Sequence, residues 1–343
     1  MLNKKVFLSE KIFTKDIEMV ATRQGYGEGL VEAGEKDERV VVLCADLTES
    51  TRSNLFKEKF PKRFIEVGVA EQALATLASG MANYGKIPFI SSYATFSPGR
   101  NWEQIRTTIA LNNVSVKIAG AHAGLTVGPD GATHQMLEDI ALMRAMPNMI
   151  VIVPADSIEA RKATLEVAKN GKPTYIRFAR EKTPVFTSDK TPFKIGRAEI
   201  LWDSVKPNTE HRTPNTNSVA IVACGPLVYE ALLAAKKLTE GRNKIGCIVI
   251  NSHTIKPLDE ATIVAAAKKT GAVVTVEEHQ VTGGLGGAVA ETLSRNYPVP
   301  IEFVGMPDSF GESGEPDELL EKYKMKAKYI VAAIRKVIRR KNQ

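Results

Sequence analysis

Cysteine, tryptophan and histidine are scarce in this 343-residue chain, which has three, two and five of them. Cys44, Cys224 and Cys247 lie far apart, each in or at the end of an apolar strand-like run. That spacing excludes a disulfide framework and a cysteine metal cluster, and it suits buried, reduced thiols. No apolar run is long enough to span a bilayer, and the opening MLNKKVFLSEKIF is basic but has no apolar signal core. The expectation is a cytoplasmic protein with no membrane partner. Neither a Gly-Lys-Ser/Thr phosphate loop nor a Gly-Asp-Gly string occurs.

What is present is ordinary for a folded chain: 43% hydrophobic and 25% charged residues. The net charge of +7, from 46 basic and 39 acidic residues, favours anionic ligands such as sugar phosphates. No nucleic-acid motif accompanies it, so no nucleic-acid partner is expected. The basic end IRKVIRRKNQ reads as the last turns of a helix, whose C-terminal dipole favours cations.

Apolar β-rich runs alternate with helical patterns, which predicts an α/β fold with mostly parallel sheets flanked by helices. The first set of strands is expected at Val40–Ala45, Ile87–Ser92, Val114–Ala119, Met149–Val153 and Thr174–Phe178, with a helix at Ile158–Asn170. The polar, proline-containing string EKTPVFTSDKTP (181–192) then breaks the pattern. The alternation restarts with strands at Val219–Cys224, Ile245–Asn251, Ala272–Glu277 and Pro300–Val304 and helices at Ala261–Lys269 and Gly287–Arg295. Two domains follow, 14–185 and 197–343, joined by a linker at 186–196. Lys206–Ser218 reads as a polar surface excursion in which His211 is solvated.

The stretch HAGLTVGPDGATHQ (122–135) packs two of the five histidines and an aspartate between Gly124, Gly128, Pro129 and Gly131. Such punctuation predicts an irregular loop at a strand end, where α/β proteins place polar functional groups. Upstream, Val69, Ala73, Leu77 and Met81 recur every fourth residue, with Leu74 and Ala78 beside them, predicting an amphipathic helix with Glu71 in its first turn. Ser97-Pro98 reads as a cap followed by the first residue of a helix with Trp102, Ile105 and Ile109 on its buried face. Phe96 then falls at a strand-to-helix junction, where its face could stack on a planar ring or pack in the core. GGLGG (283–287) misses the dinucleotide spacing, so close packing explains it better than phosphate binding. His253 and His279 read as structural.

The ordered motifs ATRQ (21–24), ADLTES (45–50), FIEVGVAEQ (64–72), SYATF (92–96), AHAGLTVGPDGATHQ (121–135), PNMIVIVPAD (147–156) and RFAR (177–180) together resemble transketolase. TIKPLDE (254–260) and VEEHQVTGGLGGAVAE (276–291) resemble its C-terminal domain. The likeness covers the pyrimidine-binding and C-terminal domains of that thiamine-diphosphate family, from about Asp16 to Ile338. The diphosphate-and-metal motif of the family's N-terminal domain is missing. The chain therefore resembles the C-terminal subunit of a split transketolase, expected to be inactive alone.

The resemblance implies roles. Glu71 matches the glutamate that hydrogen-bonds N1′ of the aminopyrimidine, and Phe96 matches an aromatic packed on that ring. Trp102 takes the place of a tyrosine in relatives, and Asp46 resembles a residue near the cofactor. His122 and His134 match catalytic histidines beside the donor ketose, and Asp130 matches a reader of a sugar hydroxyl. Arg23, Ser50 and Arg180 match groups that bind the substrate phosphate. The implied cofactors are thiamine diphosphate, its pyrimidine half bound here, and a divalent metal, most simply Mg, on the partner. No metal is expected on this chain. The implied partners are the N-terminal subunit and a second copy of this chain, in a heterotetramer with a two-fold contact between the two copies. The implied reaction passes a two-carbon ketol unit from a ketose phosphate to an aldose phosphate. The rival readings are a β-type E1 subunit of a 2-oxo-acid dehydrogenase and a non-catalytic partner of a thiamine enzyme.

Overall fold

The computed structural model describes residues 1–205, 217–241 and 244–343; His211 and nearly all of its polar excursion lie outside them. The first part of the chain contributes β1 (Met19–Ala21), β2 (Val40–Cys44), β3 (Phe64–Glu66), β4 (Ile87–Tyr93), β5 (Lys117–Ala121), β6 (Ile150–Ile152), β7 (Thr174–Arg177) and β8 (Lys182–Pro184). The second contributes β9 (Glu199–Asp203), β10 (Ser218–Ala223), β11 (Gly246–Asn251), β12 (Thr254–Lys256), β13 (Val273–Gln280) and β14 (Ile301–Met306).

Two large sheets result, beside a small antiparallel pair of β1 with β8. One large sheet runs β12-β6-β7-β5-β4-β2-β3 and the other β14-β13-β10-β11-β9. Within these two sheets all neighbouring pairs are parallel except β12 with β6 and β9 with β11. β2, β5, β7 and β10 are buried along their whole length, as parallel strands covered by helices on both faces require. Each long apolar run of the sequence thus becomes a strand, with ends shifted by a few residues. Two ends shift by three residues: β13 runs on to Gln280, and at Val114 a tight turn (Val116 N–H to Val114 O, 2.9 Å) delays β5 to Lys117.

The two halves interlock. β12 belongs by sequence to the second half yet closes the edge of the first sheet beside β6. Conversely, the N-terminal residues pack on the second sheet: Asn3 bonds the carbonyls of Leu201 and Ile200 at 2.9 and 2.8 Å, and Val6 and Ile12 enter its core. One apolar cluster runs from Leu43, Leu74 and Ile90 through Met143 to Val222, Ile250 and Leu285, so it spans both sheets. The expected linker is anchored as well. Buried Asp156 accepts from the backbone N–H groups of Phe186 (3.0 Å) and Thr187 (2.7 Å), and Phe186 is fully buried. Lys182–Pro184, inside the proline-containing string, pairs antiparallel with β1.

Three expectations need correction. The helix does form, at Glu71–Asn83, and Leu74 and Ala78 are buried as expected, together with Glu71, Ala75 and Ser79. Val69 (70% exposed), Ala73 and Leu77 (50% exposed) point outward. A strict four-residue repeat advances about 40° beyond a full turn at each step, so it spirals off the core face. Secondly, Ser97-Pro98 is a cis peptide within a turn, and the helix starts only at Trp102. The Ser97 hydroxyl accepts from Asn101 Nδ2 at 3.2 Å instead of capping the helix. Ile105 and Ile109 are buried as expected, in a wide π-turn at Ile105–Ala110. Thirdly, the loop 122–135 is not wholly irregular: Leu125–Asp130 forms a 3₁₀ turn interrupted at Gly128.

The GGLGG segment opens a helix at Leu285, and the Glu277 carboxylate already fills that N-terminus, accepting from the N–H groups of Leu285 and Gly286 at 2.7 Å each. A side chain on Gly284 would meet the same carboxylate at 2.0 Å, which is the packing explanation. Buried His253 stacks on Phe193, and His279 Nε2 accepts from the Ala141 N–H at 3.3 Å. All three cysteines are free and buried. No helix among the described residues is long and apolar enough to cross a membrane.

Candidate functional site

Parallel strands point their carboxyl ends to one edge, and the groups singled out by the sequence gather there. β2 leads to Asp46 and Ser50, β4 to Phe96, β5 to His122 and β7 to Arg180, while helices Thr22–Lys36 and Glu71–Asn83 supply Arg23 and Glu71.

Glu71 is 2% exposed. Its Oε2 accepts from Arg100 Nη1 at 2.6 Å, and its backbone carbonyl from Asn101 Nδ2 at 2.9 Å. The Arg100 guanidinium lies 4.6 Å from the centre of the Phe96 ring. From Phe96 the rings continue without a break: Phe96 to Tyr93 at 6.0 Å, Tyr93 to His122 at 4.0 Å in a stack, and His134 edge-on to Phe96 at 5.5 Å. Thr133 Oγ1 pairs with His134 Nδ1 at 2.9 Å. This aromatic wall ends on Arg23, whose Nη1 lies 3.4 Å from His122 Nε2 and donates to the Ser50 carbonyl at 2.7 Å.

Burial, then the nearby charges of Arg23, Arg180 and His134, push the His122 pKa down to about 3. The imidazole is therefore neutral at physiological pH. With Arg23 donating to Nε2, its proton sits on Nδ1, a buried atom with no acceptor among the described residues. Arg23 is itself lowered, chiefly by burial and then by Arg52 and Arg180, so three guanidinium groups share one region. Its Nε is also buried without a partner. Clustered cations with unspent donors are matched to an anion that relieves both burdens. Arg180 donates to the Val127 carbonyl at 2.8 Å and pairs with Glu181 at 3.2 Å.

Other expected residues are placed differently. Asp130 is exposed at the end of the 3₁₀ turn. Asp46 is exposed in a left-handed conformation (φ 55°), and its N–H donates to Glu66 Oε1 at 2.7 Å. Ser50 meets Arg23 through its carbonyl rather than its hydroxyl. Trp102 packs against the core and donates to the Leu142 carbonyl at 3.4 Å, a packing role.

Sequence reasoning missed Tyr93, Arg100, Arg52 and Glu66. Tyr93 follows Ser92 at the end of a recognised strand and Glu66 lies within FIEVGVAEQ, so their positions were available; Arg52 and Arg100 carry no pattern. It also missed how the second half grips the loop. Glu278 Oε1 accepts from Thr126 N–H and Oγ1 at 2.6 and 2.7 Å, and Gln135 Nε2 donates to the Glu312 carbonyl at 2.9 Å. Gly124 (φ 95°) has to be glycine, because a Cβ there would also meet Glu278 Oε1 at 2.4 Å. Beneath the loop, Arg177 Nε binds buried Asp139 at 2.8 Å, while its Nη2 donates to the Glu278 carbonyl at 2.8 Å.

The comparisons agree with this architecture. Residues 18–185 match the family model "Transketolase, pyrimidine binding domain" and residues 209–330 match "Transketolase, C-terminal domain". A chain of Methanocaldococcus jannaschii, provisionally named a transketolase C-terminal section, is 43% identical over 315 residues, covering 91% of this chain and 94% of that one. A 6-deoxy-6-sulfo-D-fructose transketolase subunit of a Clostridium species is 40% identical, covering 93% and 95%. A solved structure described as a split gene transketolase, an inactive beta4 tetramer, superposes with a TM-score of 0.83 at 44% identity, covering 93% and 99%. This chain belongs to the transketolase family, as a subunit built from the pyrimidine-binding and C-terminal domains.

Proposed function

We propose that this chain is the pyrimidine- and sugar-binding half of a two-subunit thiamine-diphosphate transketolase, which moves a two-carbon ketol unit from a ketose phosphate to an aldose phosphate. The observation that carries the reading is the unbroken wall from buried Glu71 through Phe96, Tyr93 and His122 to the arginine cluster. It offers an acid–base group and a ring shelf at one end and an anion site at the other.

The residues suit the pyrimidine half of the cofactor: a buried carboxyl beside an aromatic face can hold a flat, nitrogen-edged ring. The chain matches the family's pyrimidine-binding and C-terminal domains, so we assign the diphosphate and its divalent metal to an N-terminal partner. When bound, the cofactor supplies a nucleophilic carbon that carries the two-carbon unit between donor and acceptor. Glu71 holds a proton at the pyrimidine ring nitrogen. Neutral His122 and its neighbour His134 hydrogen-bond the donor's oxygens, Asp130 reads a hydroxyl at the loop rim, and Arg23 and Arg180, joined by Arg52, hold the phosphate.

The test is reconstitution with the N-terminal subunit and assay on xylulose 5-phosphate with ribose 5-phosphate. Each chain alone is expected to be silent and the mixture active. No ketol transfer by an assembled mixture, or decarboxylation of a 2-oxo acid in its place, would overturn the reading.

Self-association is assigned to the exposed apolar side chains Val69, Ala73 and Leu77, just before and along the Glu71–Asn83 helix. Apolar side chains left in solvent mark an interface, and they support a heterotetramer built on a contact between two such chains. Leu77→Asp, a solvent-facing change, is expected to reduce the isolated chain to a monomer by light scattering. An unchanged mass would move the contact elsewhere.

A further inference from the structure

Arg100 occupies the two side chains to which the pyrimidine has been assigned. Its Nη1 donates to Glu71 Oε2 at 2.6 Å, and its guanidinium carbon lies 4.6 Å from the Phe96 ring centre. A guanidinium is flat, delocalised and edged with N–H groups, so it stacks on an aromatic face while meeting a carboxylate edge-on. Those are the two contacts a planar aminopyrimidine would make with the same pair.

The surroundings favour exchange over a fixed strut. The Glu71 carboxylate is 2% exposed, whereas the Arg100 side chain is 47% exposed and has open solvent to swing into. The backbone beneath it is held separately, since Asn101 Nδ2 bonds both the Glu71 carbonyl (2.9 Å) and Ser97 Oγ (3.2 Å). Moving the guanidinium therefore does not require moving the turn. A buried carboxyl left without a hydrogen-bond partner is costly, so a stand-in is needed whenever the ring is absent.

We infer that Arg100 is a stand-in for the pyrimidine: it seats itself on Phe96 and Glu71 in the cofactor-free chain, and cofactor binding proceeds by swinging it out to solvent. The inference rests on the reading of Glu71 and Phe96 as the pyrimidine seat. An occupied seat lowers apparent affinity by the fraction of time it is filled. Removing the guanidinium thus tightens binding, whereas removing a supporting strut would weaken it.

The experiment titrates 4-amino-5-hydroxymethyl-2-methylpyrimidine into the full chain by saturation-transfer NMR, comparing the native protein with Arg100→Met, Arg100→Lys and Glu71→Ala. Arg100→Met is expected to bind about fivefold tighter or more, as follows if the seat is filled about four-fifths of the time. Arg100→Lys, which keeps the charge without the flat fork, is expected to fall between, and Glu71→Ala to bind more weakly than native. If Glu71→Ala loses binding while Arg100→Met binds equally or more weakly than native, the exchange is overturned and the pyrimidine reading stands. If Glu71→Ala binds like the native chain, or no form binds at all, the pyrimidine reading falls and the exchange with it.

Discussion

Glu71→Gln is expected to lower the turnover of the reconstituted enzyme by about 10²–10⁴-fold, the range that a positioned acid–base group contributes. The amide keeps the volume of the carboxyl, and its oxygen can still accept from Arg100 as Oε2 now does at 2.6 Å. The Asn101 bond to the backbone carbonyl is untouched. What disappears is the capacity to hold and release a proton at the ring nitrogen. Thermal unfolding should therefore stay close to that of the native chain while kcat collapses. A turnover within twofold of native, with the subunits assembled, would assign this chain a purely structural part in the complex.

The largest expected loss of stability comes from Arg177→Met. Arg177 and Asp139 form an ion pair at 2.8 Å with side chains 4% and 0% exposed, and Tyr175 adds a hydrogen bond to the same carboxylate oxygen at 2.6 Å. The guanidinium also donates to the Met136 carbonyl at 3.2 Å and to the Glu278 carbonyl at 2.8 Å, so it clamps β7 to β13. Removing it strands a buried carboxylate, a change worth about 3–5 kcal/mol. Urea denaturation should show that loss. Changing Asp139 to Leu in the same chain removes the stranded charge and should recover part of it. A single variant as stable as the native chain would overturn the reading of the Arg177–Asp139 pair as a structural clamp.

The strands were legible because buried parallel strands leave continuous apolar runs, and those runs became β2, β4, β5, β6, β7, β10, β11, β13 and β14. β1, β8 and β12, at three residues each, are too short to carry a period, and tertiary pairing alone makes them strands. The outward-facing side of the Glu71–Asn83 helix was misread because Val69, Ala73 and Leu77 are as apolar as core residues. A surface reserved for a partner and a core are written in the same letters. Within the site, Glu71, Phe96 and His122 were legible through motifs; that Arg23 meets His122 was not, because no spacing ties residues 99 positions apart. Arg52 was not, because a charged residue on a left-handed turn (φ 66°) has no signature beyond its charge. Arg100 was missed for a different reason. Its importance lies in which two side chains it touches, and contact between residues 29 positions apart is a property of the fold.

The edge strand Thr254–Lys256 sets an order of events in biosynthesis. The first sheet has β6 as its outermost strand until residue 256 has left the ribosome, and until then that edge offers unpaired N–H and C=O groups to any passing strand. The opening residues likewise wait for Ile200–Trp202 before they find their bonding partners. A nascent chain of this protein cannot complete its first half and then begin its second. Residues 2–3 and residues 200–256 are drawn into one folding event, and a ribosome stalled before residue 254 would hold a sheet with an open side.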